Sequence, residues 1–143
     1  MKNDSDLFYT CSLIEFIGRQ CKRKRSDIVN ILTEKTLSRI YRYADVLHCE
    51  VIANTADTYI REFNIQNGTF DNVGQCRYTP PDYWDIGEVY SRLIEDVTKD
   101  APIRTLLEVY NSWISDSISN YNSDFFYQPR DYIKECYLAG TVL

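Results

Sequence analysis

A single histidine, His48, and the absence of clustered cysteines limit the metal chemistry open to this sequence. The chain has no Cys-x-x-Cys pair and no second imidazole, so a tetrahedral zinc site would need cysteines that are scattered along 143 residues. Its five glycines are isolated from one another, which excludes a glycine-rich phosphate-binding loop. We therefore predict neither a bound metal nor a cofactor.

Long apolar runs and a disulfide pattern are also missing. The apolar runs are far shorter than the roughly 20 residues of a membrane-spanning helix, and residues 1–6 lack the basic-then-apolar order of a signal peptide. The five cysteines are an odd number, in a chain long enough to form a core without crosslinks. These features predict a cytoplasmic protein with reduced cysteines and no membrane partner.

Aromatic residues are abundant and apolar residues recur at spacings of three and four, which predicts helices. Residues 67–81 show no such period and are predicted to form a loop or linker. Asp82 and Asp85 form a capping-box pattern at the start of a helix, and Asp4 or Ser5 is the expected cap of the first one. Helices are predicted over about 6–21, 51–64, 82–98 and 102–121, with shorter ones after Ser26, Thr36 and Pro129.

These segments predict an all-α fold, a helical bundle of about seven helices. An N-terminal cluster of short helices (1–66) is expected to pack on a long C-terminal helical hairpin with a terminal helix (82–143).

Charge divides unevenly between the two parts. Residues 1–81 carry 11 basic and 10 acidic side chains, whereas residues 82–143 carry 5 and 11. The acidic C-terminal part favours a basic partner and disfavours nucleic acid. Homodimerisation through an uncovered face of the hairpin is a further expectation.

A basic run at the end of the first helix is the strongest local charge feature. Cations complement the helix dipole at this position, and the same side chains would bind phosphates if the protein were a nucleic-acid-binding adaptor. The second and third helices would then form a helix-turn-helix, although the recognition helix would be short and aromatic. The residues of this alternative are Arg19, Lys22, Arg23, Lys24 and Arg25.

His48 lies beside Cys49 and three residues after Asp45, which raises the possibility of an activated thiolate. Residues adjacent in sequence rarely direct the required atoms at each other, so an enzyme with a site around His48 is only a second alternative. The simpler interpretation is a histidine that closes a helix end, and no catalytic residue is assigned.

The segment 121–128 contains three consecutive aromatic residues in a predicted loop. Exposed aromatic side chains are typical anchors of protein interfaces, although a loop that folds back onto the core is an equally good interpretation. We take the aromatic segment and the turn near His48 as candidate contact points for a partner. The residues are Asp45, His48, Tyr121, Phe125, Phe126 and Tyr127.

Residues 7–63 resemble a family of small uncharacterised bacterial proteins. The resemblance is carried by the Asp-Val-Leu-His motif at residues 45–48, by the first helix with Phe16 near its end, by the second helix, and by the Asp-x-x-Ile pattern at residues 57–60. Genes of this family often neighbour those of ADP-ribosyltransferase-like proteins. The resemblance implies an accessory or antitoxin-like role, and the eighty or so residues that follow lie outside it.

Together these features predict a protein-binding protein that occludes or regulates a partner, with an acidic C-terminal surface that attracts a basic protein. The partner implied by the resemblance is a toxin or enzyme encoded by a neighbouring gene.

Overall fold

The computed structural model describes residues 4–143, in which the regular secondary structure is entirely helical: eight α-helices and one 3-10 helix. The predicted all-α bundle is therefore confirmed. Residues 1–3, which begin the segment tested for a signal peptide, lie outside the described residues. None of the helices in the described range is both long and apolar enough to cross a membrane.

The N-terminal part contains four helices: α1 (Ser5–Cys21), α2 (Arg25–Arg42), α3 (Ala44–Leu47) and α4 (Ile52–Glu62). The predicted cap of α1 is confirmed, because the Asp4 carboxylate accepts hydrogen bonds from the backbone N–H groups of Asp6 and Leu7. The predicted caps Ser26 and Thr36 are wrong, since both lie inside α2.

One residue interrupts α2. Thr33 has φ 75° and ψ 163°, a backbone conformation that is nearly exclusive to glycine, and the helix resumes at once beyond it. The sequence therefore correctly indicated two helical stretches here, but it placed their boundary three residues too late.

Residues 63–82 form the connection between the two parts and contain no regular helix. The connection is held against the end of α1 by backbone hydrogen bonds. Gly68 N–H donates to the Cys21 carbonyl over 2.8 Å, and Phe70 N–H donates to the Lys22 carbonyl over 2.8 Å. The predicted loop is thus tied to the core over part of its length.

The C-terminal part contains α5 (Tyr83–Val97), α6 (Pro102–Tyr110), α7 (Trp113–Ser119), a 3-10 helix (Phe125–Tyr127) and α8 (Arg130–Ala139). The capping box at Asp82 and Asp85 and the proline that precedes α8 are confirmed. The continuous helix predicted over 102–121 is wrong, because Asn111 and Ser112 separate α6 from α7 and the Ser112 hydroxyl caps the new helix.

Helix α1 lies at the centre of the fold. It contacts α2, α3, α4 and, most extensively, α5, so one apolar core draws on both parts of the chain. At the crossing of α1 and α5, Gly87 packs directly on Ser12, because a Cβ atom at position 87 would lie only 2.8 Å from Ser12 Cα. This close contact sets the position of α5, whose outer face forms one side of the groove described below.

Candidate functional site

A groove of about 300 Å³ lies on the C-terminal part, between α5, the 3-10 helix and the start of α8. One side is a helical stripe on α5, in which Asp85, Val89 and Leu93 are spaced by four residues and share a face. The other side comes from the aromatic segment and from α8. The remaining lining residues are Pro81, Glu88, Arg92, Phe126, Tyr127, Gln128, Arg130 and Ile133.

The aromatic wall of the groove is anchored from beneath. Phe125 is buried and its ring centroid lies 6.3 Å from that of Trp113. Phe126 is partly buried and stands nearly perpendicular to Tyr121 and to Tyr127, with centroid distances of 5.9 and 5.0 Å. Tyr127 alone of these residues is largely exposed, at 67%. The packed rings of Phe125 and Phe126 thus hold this segment in place, and the Tyr127 side chain is largely exposed at the groove.

Arg130 fastens α8 to the end of α5. Its Nη2 atom lies 2.8 Å from Glu95 Oε2, and its Nε atom lies 2.8 Å from Asp96 Oδ2. Its hydrogen bonds to Asp96, together with the attraction of Asp96 and Glu95, hold the pKa of Arg130 above its ordinary value, although burial alone would lower it. The arginine is therefore permanently charged and already neutralised by its neighbours.

A buried ionic network supports the same segment from the core. Glu15 and Arg25 are both fully buried and form a bidentate pair, and Arg19 Nε lies 2.8 Å from Glu15 Oε2. The Tyr121 hydroxyl donates a hydrogen bond to the same carboxylate oxygen. Tyr121 thereby links the aromatic segment to α1 and α2.

The protonation of this network follows from its composition. Burial alone would raise the pKa of Glu15, but the adjacent Arg25 and then Arg19 more than offset it, so this pKa is lowered. Burial and the charge of Glu15 raise the pKa of Tyr121 to about 12. At neutral pH the carboxylate is ionised and the phenol is protonated, which is the combination that the observed hydrogen bonds require.

The six predicted partner-binding residues do not lie together in the structure. Tyr121 and Phe125 are buried, so they support the aromatic segment and do not contribute to its surface. Phe126 and Tyr127 line the groove, whereas Asp45 and His48 do not. The alternative interpretation, in which the aromatic segment folds back onto the core, therefore holds for Tyr121 and Phe125 but not for Phe126 and Tyr127.

Asp45 and His48 lie on the short α3 turn and are exposed. The Cys49 thiol donates to the Asp45 backbone carbonyl over 3.7 Å, and no bond joins Cys49 to His48 in the described part of the chain. The arrangement lacks the nucleophile–base contact that thiol catalysis needs. Three apolar side chains, Tyr43, Val46 and Val51, are exposed around this turn.

The basic run does not form a continuous surface. Arg25 is buried against Glu15, and Arg19 also donates to the Pro81 carbonyl over 2.7 Å. Arg23 donates to the Gln66 carbonyl, while Lys22 and Lys24 are exposed. Three of the five cations in the predicted phosphate-binding patch, Arg19, Arg23 and Arg25, therefore form contacts within the protein.

The α5 side of the groove was not predicted from the sequence, although its signal was present. Asp85, Val89 and Leu93 lie at a spacing of four on a helix whose core face is marked by Ile86, Tyr90 and Ile94. No pattern indicated that α8 would pack beside this stripe, because that contact depends on the ion pairs of Arg130 with Glu95 and Asp96.

Among residues 4–143, no three acidic, histidine or cysteine side chains are grouped so that they would hold a metal ion. Comparisons with protein-family models, with curated proteins and with solved structures find no match to this chain.

Proposed function

We propose that this protein binds another protein through the groove between α5 and α8, as an accessory protein that occludes or regulates its partner. The observation that carries the proposal is the exposed Tyr127 at a groove of about 300 Å³ that is lined by both apolar and charged side chains. Tyrosines at the edge of such a recess are typical anchors of protein interfaces. The volume is near the lower limit of small-molecule pockets, and it suits one or two side chains of a partner.

Charge supports the same proposal. The part of the chain that contains the groove has 11 acidic and 5 basic side chains, so it attracts a basic protein and increases the rate of encounter. An antitoxin-like role, in which the partner is a toxin or enzyme, is the form implied by the resemblance of residues 7–63. All five cysteines are free, which fits action in a reducing cytosol.

The exposed turn with Asp45 and His48 is proposed as a second contact surface. Tyr43, Val46 and Val51 provide exposed apolar area around it. A partner that contacts both surfaces would gain affinity from each without needing a large single interface.

A displayed library of short random peptides tests the proposal directly. The intact chain should select peptides whose binding is lost in Tyr127→Ala and in Val89→Arg. Tyr78→Ala is the matched control, because Tyr78 is equally exposed, at 66%, and does not line the groove. A Val46→Arg variant reports separately on the turn near His48.

Three results would contradict protein binding at the groove. The first is a selection that yields no binders, and the second is a set of binders that lose no affinity in Tyr127→Ala and Val89→Arg. The third is equal loss in Tyr127→Ala and Tyr78→Ala, since that would indicate nonspecific contact with exposed tyrosines. Sedimentation equilibrium of the chain alone measures the predicted homodimer independently.

A further inference from the structure

We propose that the groove accepts a basic side chain, lysine or arginine, from the protein partner. The inference rests on the proposed function and specifies the chemistry of its anchor. The side chain would lay its apolar stem on Val89 and Leu93 and place its cation between the carboxylate of Asp85 and the aromatic wall.

The charges around the groove favour a cation. Its lining and the residues that pair with it hold four carboxylates against two guanidinium groups. Both guanidiniums are occupied: Arg130 pairs with Glu95 and Asp96, and Arg92 lies 3.3 Å from Glu88.

Asp85 is the unmatched charge. Within the described residues no basic side chain pairs with it, and its only hydrogen bonds belong to the capping box with Asp82. An arriving cation would therefore find an exposed carboxylate with no basic side chain to displace.

The walls of the groove suit the same side chain. Phe126 and Tyr127 both line the groove and contact each other edge to face, at 82° with centroids 5.0 Å apart, so a side chain that enters meets aromatic surface. A cation within about 6 Å of an aromatic ring centroid is attracted to the ring face. Lysine and arginine also bury their methylene stems along apolar surface while the charged end stays near water.

A neutral apolar side chain fits less well. It would cover Val89, Leu93 and Ile133, but it would also remove water from Asp85 and Glu88 without supplying a compensating charge. The comparison between a cationic and a neutral side chain of similar length is therefore the decisive one.

The test uses the full ¹⁵N-labelled chain and three blocked amino acids as probes: N-acetyl-lysine methylamide, N-acetyl-arginine methylamide and the neutral norleucine analogue. The cationic probes should shift amide resonances of residues 85–93 and 126–130, and the norleucine probe should bind several-fold more weakly. Added salt should weaken the cationic probes and leave norleucine unchanged.

Asp85→Asn removes the charge and keeps the oxygen that accepts from Asp82 N–H, so the helix cap survives. It should weaken the cationic probes about three- to fivefold, as expected for an exposed carboxylate–cation contact. Asp100→Asn, an exposed acid outside the groove, is the matched control and should change nothing.

The outcomes separate this inference from the proposed function. Equal binding of the norleucine probe, equal effects of the two Asp→Asn variants, or no groove shifts from the cationic probes up to their solubility limits would overturn the basic anchor. Tyr127-dependent peptides from the displayed library would still support protein binding in each of these cases. Tetramethylammonium serves as a fourth probe. If it shifted the groove resonances and the lysine and arginine probes did not, the basic anchor would be overturned in favour of a small quaternary ammonium ligand.

Discussion

Arg25 donates two hydrogen bonds to the carboxylate of Glu15, from Nε to Oε1 over 2.9 Å and from Nη2 to Oε2 over 3.0 Å, and both side chains are fully buried. A desolvated pair of this kind gains little net stability over an apolar pair of similar size, but either charge left alone is costly. The pair therefore fixes how α1, α2 and the aromatic segment meet, rather than adding a large net stabilisation.

Arg25→Met should lower the free energy of unfolding by about 3–5 kcal/mol, because it leaves Glu15 ionised and buried with only Arg19 beside it. The double variant Glu15→Gln/Arg25→Met should recover much of this loss, since glutamine can still accept the hydrogen bond from Tyr121. Chemical denaturation of both variants measures the difference. Arg61→Met, which breaks the exposed pair with Asp57, should cost no more than about 0.5 kcal/mol. A double variant as unstable as Arg25→Met would contradict this account.

Acid should destabilise the protein through the same carboxylate. The pKa of Glu15 in the folded state lies below its ordinary value of 4.5, so its contribution is complete above that value and is lost as pH falls through the folded-state pKa. Unfolding free energies measured from neutral pH downwards should decline below about pH 4.5. The decline should be shallower in Glu15→Gln/Arg25→Met, whose other acids are unchanged. Parallel curves for the two proteins would exclude Glu15 as a source of the acid sensitivity.

Local sequence signals predicted much of the fold. Asp4, the Asp82–Asp85 capping box, Pro102 and Pro129 mark helix starts within a few residues, so α1, α5, α6 and α8 were found. The break between α6 and α7 was missed because the apolar period continues across it, from Tyr110 to Ile114. Ser112 caps α7 with its hydroxyl in the middle of this apolar pattern, and the spacing of apolar residues does not reveal such a cap.

The site was less predictable than the fold, for a physical reason. Phe126 and Tyr127 were found because three consecutive aromatic residues are unusual in a predicted loop, but the rest of the groove exists only where α5 and α8 pack together. Arg25 was taken as part of a solvated basic run, although Glu15 lies among apolar residues on α1 and needs a cation nearby. A charge on the apolar face of a helix was the available sign of the buried pair.

Gly87→Ala should destabilise the protein by about 1–3 kcal/mol through overpacking at the crossing of α1 and α5. The added Cβ would lie 2.1 Å from Ser12 Oγ and 2.8 Å from Ser12 Cα and N. Thermal unfolding measures the loss. Because two of these three atoms are backbone, adding Ser12→Gly should restore little of it. Full rescue by Ser12→Gly would show instead that only the hydroxyl is in the way.

Thr33→Gly should stabilise the protein, which is the reverse of the usual effect of glycine within a helix. At φ 75° and ψ 163° the threonine Cβ is strained, at a cost of about 1–3 kcal/mol. Glycine relieves this strain and loses roughly 0.5–1 kcal/mol through the greater freedom of its unfolded chain. The net gain should be about 1 kcal/mol, seen as a rise in Tm of about 2–4 °C for a protein of this size.

The matched control for Thr33→Gly is Thr36→Gly, the same substitution three residues later in the same helix, where the backbone is helical. It should lower stability by a few tenths of a kcal/mol, following the helix propensities of the two residues. If both variants lost stability alike, α2 would run through Thr33 as a regular helix. The opposite signs expected here instead correspond to a sharp break between Leu32 and Glu34, within a helix that packs against α6.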